Sequence, residues 1–436
     1  MWERDRIKRI AIVTSDQLKW TEYRRLRNRF NHSIKASKKN YYHLFFEDNG
    51  GKAKATWNGI NTLYFAPVSK LIIGDTVITD PHELSNACNR HFVDISPNLA
   101  ANINPPRVSF RDFVEPCDST FELELLTIDG LRKLLNDIPV GKADGLNGIP
   151  TYLLKLSFPF VASSLTHIFN LVISKGIITK DWKSARVTPI FKPDSKVDPA
   201  NYRPISVLSV IAKLSEKTIF NQVYSCLNDN KLLSKYQSGF RPMHSTLTAL
   251  IDITDNWYLN IDDSLTNAIL FIDLEKAFDT IDHEILRSKL ELYGFKGVSL
   301  NLFRDYFSDR TQVTVINNVN SETSFISCGV PQVSILGLLL FLLYINYLPN
   351  CNLLSDVRMY ADDTNLTFAS KDPNELFSSL THDLGNLKQW LDSNRMSSRL
   401  NVCLQARGKK ISLCSQAIHT YPSTGIQLKE SIVTNA

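Results

Sequence analysis

Two carboxylates stand side by side in "MYADDTNL", residues 359–366, inside a stretch otherwise patterned as strand. Val357 and Met359 precede the pair and Leu366 and Phe368 follow it, so apolar residues recur at every second position on both flanks. This spacing predicts a β-hairpin with Asp362 and Asp363 at its tip. Adjacent carboxylates repel, and the tip is comfortable only if water solvates both or a cation is shared between them. A solvated turn meets that condition unaided, because Asp is a common turn residue.

A second acidic position narrows the choice. The apolar run "AILFID" reads as a buried strand that ends in Asp273, which places a third carboxylate at the rim of a sheet. If the two strands are neighbours, three carboxylates converge from two loops. Hard oxygen ligands that leave room for water and phosphate suit Mg²⁺. Two such ions about 4 Å apart would clamp the attacking and leaving oxygens of an in-line phosphoryl transfer.

At 436 residues and 43% hydrophobic, the chain can bury a substantial core in two or three domains. Its seven cysteines are scattered, with no Cys-x-x-Cys pair, which argues against a disulfide scaffold or zinc knuckle and for a reducing compartment. The charged start has no signal-peptide core, and the longest apolar run, 335–345, is half the roughly 20 residues of a membrane helix. These features predict an intracellular protein of cytoplasm or nucleus with no membrane partner. Residues 1–56 carry fourteen Lys or Arg against six Asp or Glu. Aromatics interleave with these cations in "EYRRLRNRFNHSIKASKKNYYHLFF", a composition suited to phosphate contact and base stacking. The same stretch also reads as an exposed basic helix with Tyr23, Leu26, Phe30 and Ile34 as its apolar stripe.

Along the chain, a polar helical leader gives way near residue 120 to stronger periodicity. Helices are predicted in "TIDGLRKLLNDI", from Tyr152 to Ile173, and in "VLSVIAKLSEKTIFNQVYSCL"; two strands joined by a polar loop are predicted in 185–206. Asp282 is expected to cap a helix, "TQVTVIN" to be a strand, and Ser334–Leu348 a helix. Asp372 as cap, Pro373 at the first helical position and Glu375 start another helix, whose face is Leu376, Leu380, Leu384, Leu387 and Leu391. Past residue 400 the patterning weakens.

Taken in order, "FIDLEKAFD", "CGVPQVSILG" and "YADD" resemble the palm motifs of reverse transcriptases, specifically those of non-LTR (LINE-type, jockey-like) retrotransposons. "PIFKPDSKVDPANYRPISVLSV", "QSGFRPMHST", "YFSDRTQV" and "FLLYINYLP" resemble further segments of that family. The resemblance implies an α+β right-hand polymerase with an antiparallel palm sheet backed by helices. The expected parts are a basic leader at 1–119, mixed fingers at 120–261, a palm at 262–371 and a partial thumb at 372–436, with the reverse transcriptase domain at about 175–410. It implies an RNA-directed DNA polymerase acting on an RNA template, a DNA primer and dNTPs, with two Mg²⁺ ions for which Mn²⁺ can substitute. Asp273, Asp362 and Asp363 would be the catalytic, metal-binding triad, with Asp273 and Asp362 ligating directly. Phe278 would stack under the sugar and exclude a 2′-hydroxyl. Arg203 and Lys192 would grip the triphosphate, Gln332 would contact the nucleotide or templating base, and Arg241 would touch the template backbone.

Several positions depart from the family pattern. Val333 stands where Gly is usual, at a place of close backbone approach. Asn147 and Tyr347 replace acids, Leu338 replaces Pro, and "LNVCLQ" lacks an expected Lys and Thr. The chain also begins in what resembles the linker after an endonuclease, and its thumb looks truncated. A second reading follows: an inactive relic of the same fold that only binds nucleic acid. A third, an unrelated Mg²⁺ phosphohydrolase with Asp273 as nucleophile, leaves the fingers-like segments unexplained.

Overall fold

The computed structural model describes residues 16–49 and 68–411, except 101, 102, 104, 118, 193, 194, 407 and 408, together with residues 6, 7 and 10. Most of the weakly patterned tail therefore lies outside the described residues. The chain divides into two units, Met1–Val68 with Ile190–Asp194 and Ser69–Pro189 with Ser195–Ala436.

The first unit holds α1 (Gln17–Asp48). Asp16 caps it by accepting from the Leu18 amide at 2.8 Å, and the Asn49 side chain donates to the Phe45 carbonyl at its other end. Arg24, Arg25, Arg27, Arg29 and Lys39 are exposed, while Tyr23 and Leu26 of the predicted stripe are half-buried. The side chains of Phe30 and Ile34 lie outside the described ones.

The second unit opens with β1 (Leu71–Ile73), β2 (Thr76–Ile78), α2 (Pro81–Ala100), α3 (Ile128–Asp137), α4 (Thr151–Lys175) and α5 (Lys180–Lys183). The leader expected to run to 119 thus divides, and from Ser69 onward it belongs with the rest of the chain. There follow β3 (Ser184–Phe191), β4 (Tyr202–Val207), α6 (Val210–Asp229), α7 (Thr246–Asp262), β5 (Thr266–Leu274), α8 (His283–Leu292) and α9 (Gly297–Phe307). The last elements are β6 (Arg310–Ile316), β7 (Val319–Asn320), β8 (Ser324–Ile326), α10 (Ile335–Ile345), β9 (Asp356–Tyr360), β10 (Asp363–Ser370), α11 (Pro373–Ser393), β11 (Ser398–Ala406) and β12 (Lys409–Ile411).

These strands make an α+β fold with two five-stranded sheets. One is antiparallel throughout, in the order β12-β11-β5-β10-β9. The other is mixed, in the order β4-β3-β6-β7 with β8 also on β6, and β3 runs parallel to β6. Helix α2 docks on the mixed sheet through Asn89, which is 1% exposed: it donates to the Glu322 carbonyl and Ser324 Oγ and accepts from Gln312 and Thr314, all within 3.0 Å. A buried amide so satisfied fixes the contact in one register.

Alternation along β5 decides where the core lies. Ala268, Leu270, Ile272 and Leu274 are buried in one apolar cluster with α8, α10 and α11, while Phe271 and Asp273 are exposed. All five leucines predicted for the face of α11 are buried in that cluster. Helix α10 is apolar all round and correspondingly enclosed. Its N-terminus is held by Ser334, which accepts from Gly337, and by the fully buried Glu216 of α6, which accepts from the Ile335 amide at 2.9 Å and from the Tyr306 hydroxyl at 2.7 Å. A carboxylate is favourable at that end of a helix dipole.

Two expectations change. Residues 398–406, read as weakly patterned, form β11 and pair along β5 from Ser398↔Leu274 to Gln405↔Asn267. Helix α11 packs on β10 and β5, so the carboxylate-bearing sheet and its helices continue through β12. Helix α4 is long and apolar enough, by length and composition, to cross a membrane. One of its faces packs through Leu154, Phe158, Leu165 and Phe169 against Leu131 and Leu135 of α3 and Leu214 of α6.

Lys289 on α8 is wholly enclosed, with no carboxylate among its hydrogen-bond partners in the described residues. Its ammonium donates to the Tyr344 carbonyl and the Asn394 side-chain oxygen and sits 4.5 Å from the Tyr344 ring centre and 5.5 Å from that of Trp390. Burial lowers its pKa to about 7. The folded chain therefore binds fewer protons there than the unfolded chain between about pH 7 and the ordinary lysine range, and stability rises with pH across that window. Denaturant titrations at pH 7 and pH 9 are expected to show a gain for the wild type that is smaller in Lys289→Met; equal gains would refute a neutralised Lys289.

Candidate active site

The sheet register builds the site. β5 and β10 pair antiparallel with Asp273 directly opposite Asp363, and on its other side Asp273 faces Arg399 of β11. Residues directly opposite in an antiparallel pair share a face. The hairpin predicted from "MYADDTNL" is present as β9 and β10, with Ala361 and Asp362 as the two residues between the paired Tyr360 and Asp363. So the register places Asp363 across from Asp273, while Asp362 belongs to the turn.

The three carboxylates feel one another. Burial raises the pKa of Asp362 first, and repulsion from Asp273 adds to it, against the opposing pull of its own backbone hydrogen bond and of Arg203. Asp363 is raised by burial and then by Asp362 and Asp273. Arg203 offsets part of this at Asp362. Arg399 pairs with Glu275 at 2.6 Å. Lys276, immediately after the strand, has φ of 49° and donates to the Ala200 carbonyl at 3.4 Å. Burial lowers the Lys276 pKa, Asp279 opposes this, and Arg203 and Arg399 lower it further. Arg203 and Arg399 thus stand beside the carboxylates, with Lys276 next to both cations, and of the three only Arg203 was foreseen. Among the described residues, no three His, Cys, Asp or Glu side chains stand close enough to cage one ion. Any ion here would take one or two carboxylates and complete its shell with water and substrate oxygens, the usual habit of Mg²⁺.

Phe278 is half-buried, its ring 4.5 Å from that of Phe341 and 6.2 Å from that of Phe240. Gln332 is tied down: its side-chain nitrogen donates to both Asp279 oxygens at 2.9 and 2.8 Å, and its carbonyl accepts from the Ser206 amide. An acceptor-only carboxylate dictates this amide orientation and leaves the Gln332 side-chain oxygen turned away from Asp279. Gly329 permits the arrangement, because a Cβ there would lie 2.7 Å from the Asp279 carbonyl oxygen. Arg203 is exposed and interacts with Asp362. Arg241 turns inward, donating to the carbonyls of Ser234 and Gln237 at 2.8 and 3.0 Å. Lys192 belongs to the first unit.

Sequence reading overlooked Gln237, although it stands in the quoted "QSGF". Buried at 3% exposure, it hydrogen-bonds both the amide and the carbonyl of Ala361 in the turn. A buried Gln beside a tight-turn Gly was the available signal.

A family model described as reverse transcriptase (RNA-dependent DNA polymerase) matches residues 190–407, which include all three carboxylates. The chain belongs to this family. Its match to the probable RNA-directed DNA polymerase from transposon BS of Drosophila melanogaster is 29% identical over 300 residues, 66% of this chain and 33% of that protein. The RNA-directed DNA polymerase from mobile element jockey of the same fly is 28% identical over 323 residues, 70% of this chain and 35% of that one. The putative 115 kDa protein in type-1 retrotransposable element R1DM, also from that fly, is 28% identical over 302 residues, 67% of this chain and 27% of that protein. The matched stretch spans about a third of the length of the first two relatives.

In this member of the reverse transcriptase family, Val333 carries backbone strain. Its φ is 73°, in the left-handed region that a β-branched residue rarely adopts, and its side chain is 64% exposed. The side chain meets little crowding from the fold, so the cost is in the backbone. Val333→Gly is expected to stabilise the chain by about 1 kcal/mol. Chemical denaturation checks this, and an unchanged or lowered midpoint would show that the backbone is relaxed as it stands.

Proposed function

We propose that this chain is the polymerase part of a non-LTR retrotransposon protein, extending a DNA primer on an RNA template from deoxynucleoside triphosphates. The observation that supports it most is the register that sets Asp363 opposite Asp273, with Asp362 in the adjoining turn, in a chain of the reverse transcriptase family. Two Mg²⁺ ions, or Mn²⁺ in their place, would supply charge to activate the primer 3′-hydroxyl and offset the developing charge on the α-phosphate. The donor set fits such ions: the oxygens are hard, and burial, with repulsion between the carboxylates added, already raises the Asp362 and Asp363 pKa values. Asp273 and Asp362 would hold them, and Asp363 would steady the local field.

Arg203 would bind the triphosphate, and Lys276 adds a cation on the side of Arg203. The ring of Phe278, packed against Phe341, would form a rigid floor under the deoxyribose. Gln332 would offer its side-chain oxygen to the nucleotide or templating base, held in place by Asp279. Arg241 would act on the template side from behind, through the segment it braces. The palm would comprise residues 262–411, since α11, β11 and β12 continue its sheet, with fingers at 120–261 and the basic α1 as a further nucleic-acid contact. Val333 favours the second reading, a relic that binds without extending, because strain sits beside Gln332.

Asp362→Asn decides between them. Primer extension on a primed RNA with Mg²⁺ or Mn²⁺ is expected to fall at least about a hundredfold in the variant. Because the folded-state pKa of Asp362 is raised, its charge opposes folding at neutral pH, and the opposition fades as pH falls through the carboxylate range. The same variant should therefore melt at a higher temperature than wild type at pH 7, with the difference shrinking near pH 4. Full extension by the variant overturns the mechanism; an inert wild type that binds Mn²⁺ supports the relic.

A further inference from the structure

We infer that Gln237 is a positioning residue that sets the geometry of the carboxylate turn from outside the sheet. The inference rests on the polymerase reading for its consequence, but the clamp itself is geometric. Ala361 occupies the first position of the two-residue turn with φ of 55°, a conformation that favours glycine. Nothing in an alanine side chain compensates for it. The compensation comes from a segment more than a hundred residues earlier.

The Gln237 side-chain oxygen accepts from the Ala361 amide at 2.9 Å and from the Gly239 amide at 2.7 Å, and its nitrogen donates to the Ala361 carbonyl at 3.2 Å. Both polar groups of the strained residue are therefore held by one buried amide. The backbone around it joins the edge of β9: the Met359 amide donates to the Tyr236 carbonyl at 2.9 Å and the Ser238 amide to the Met359 carbonyl at 2.8 Å. Gly239 closes the contact, since a Cβ there would lie 2.1 Å from the Ala361 nitrogen. Behind the clamp, Arg241 grips the Gln237 carbonyl, and the Asn346 side chain, following α10, accepts from the Ser234 amide at 2.7 Å. Asp362 is the next residue after Ala361 and feels the charge of Asp273, so the peptide that Gln237 holds is the one that sets where the Asp362 carboxylate stands.

A turn aimed this way lets Asp362 and Asp273 share an ion without first reorganising, the general advantage of a preorganised site. When the clamp is removed, the turn relaxes toward conformations that an L-residue prefers, and the two carboxylates lose their alignment. Glycine at 361 needs no clamp, so it should restore what the lost amide took away.

The test uses the full chain and three variants: Gln237→Met, which keeps the side chain's length but not its hydrogen bonds; Ala361→Gly; and the two combined. Mn²⁺ affinity is read by electron paramagnetic resonance, extension by primer assay, and the Ala361 amide by hydrogen exchange. Gln237→Met is expected to weaken Mn²⁺ binding about tenfold, to lower kcat for extension more than it changes KM, and to abolish protection of the Ala361 amide. The double variant should recover most of the Mn²⁺ affinity and kcat. Wild-type Mn²⁺ affinity in a folded Gln237→Met, or a loss that Ala361→Gly does not repair, overturns the positioning role and leaves Gln237 a packing residue. A wild-type chain that binds no Mn²⁺ refutes the polymerase reading instead, and the exchange of the Ala361 amide then still decides whether the clamp exists.

Discussion

The pairing of β5 with β10 is the constraint on which the rest of the molecule depends. Eight consecutive pairs, from Asp363↔Asp273 to Ser370↔Thr266, bring two carboxylates to the same rim and hold them there against their repulsion. A slip of one residue would move every side chain of the strand to the other face. It is excluded because β5 and β10 bury apolar side chains on the side of α11: Leu270 and Leu366 are pair partners and both fully buried. The hydrophobic effect thus fixes the register, and the register fixes the electrostatics.

Around that pairing the structure uses buried polar contacts to set position rather than to add stability. Asn89, Glu216, Gln237, Asn267 and Asp383 are nearly or wholly inaccessible, and each bonds to backbone or to a partner on another element. Asp383 of α11 accepts from the amides of Leu354 and Ser355 just before β9, which anchors one arm of the hairpin as Gln237 anchors its tip. Helix α7 lies over the sheet through a polar seam, with Trp257 donating to Thr367 and Asn260 to Asn267. An unsatisfied group in any of these positions would cost more than the bond contributes, which makes alternative packings expensive.

Much of this was legible along the chain because local signals carry it. The Asp282 and Asp372 caps, the leucine face of α11 and the hairpin at 359–366 were each predicted from spacing and turn chemistry, and each is present. The strand at 398–406 was not, since along "SRLNVCLQ" buried Ser398 and Leu400 alternate with exposed positions for only four residues before half-buried ones follow, and the segment owes its extended state to the edge of β5. Sequence placed Arg241 at the template; packing gave its guanidinium to two carbonyls behind the turn. The cationic company of Asp273 was likewise hidden, because Arg399 and Lys276 meet Arg203 only once two strands and a loop are assembled.

The sequence alone determined that strands with acidic ends exist, where the helices start, and, through an ordered set of motifs, which family the chain joins. Alternation, capping and turn preference act within a few residues, so they can be read without knowing the fold. Tertiary structure decided that Asp363 rather than Asp362 lies opposite Asp273, that Gln332 is bound to Asp279, and that Gln237 holds a strained Ala361. Those facts rest on contacts between residues from about fifty to more than a hundred positions apart. Such contacts are set by how the apolar faces pack together, which the pattern of any one segment does not encode.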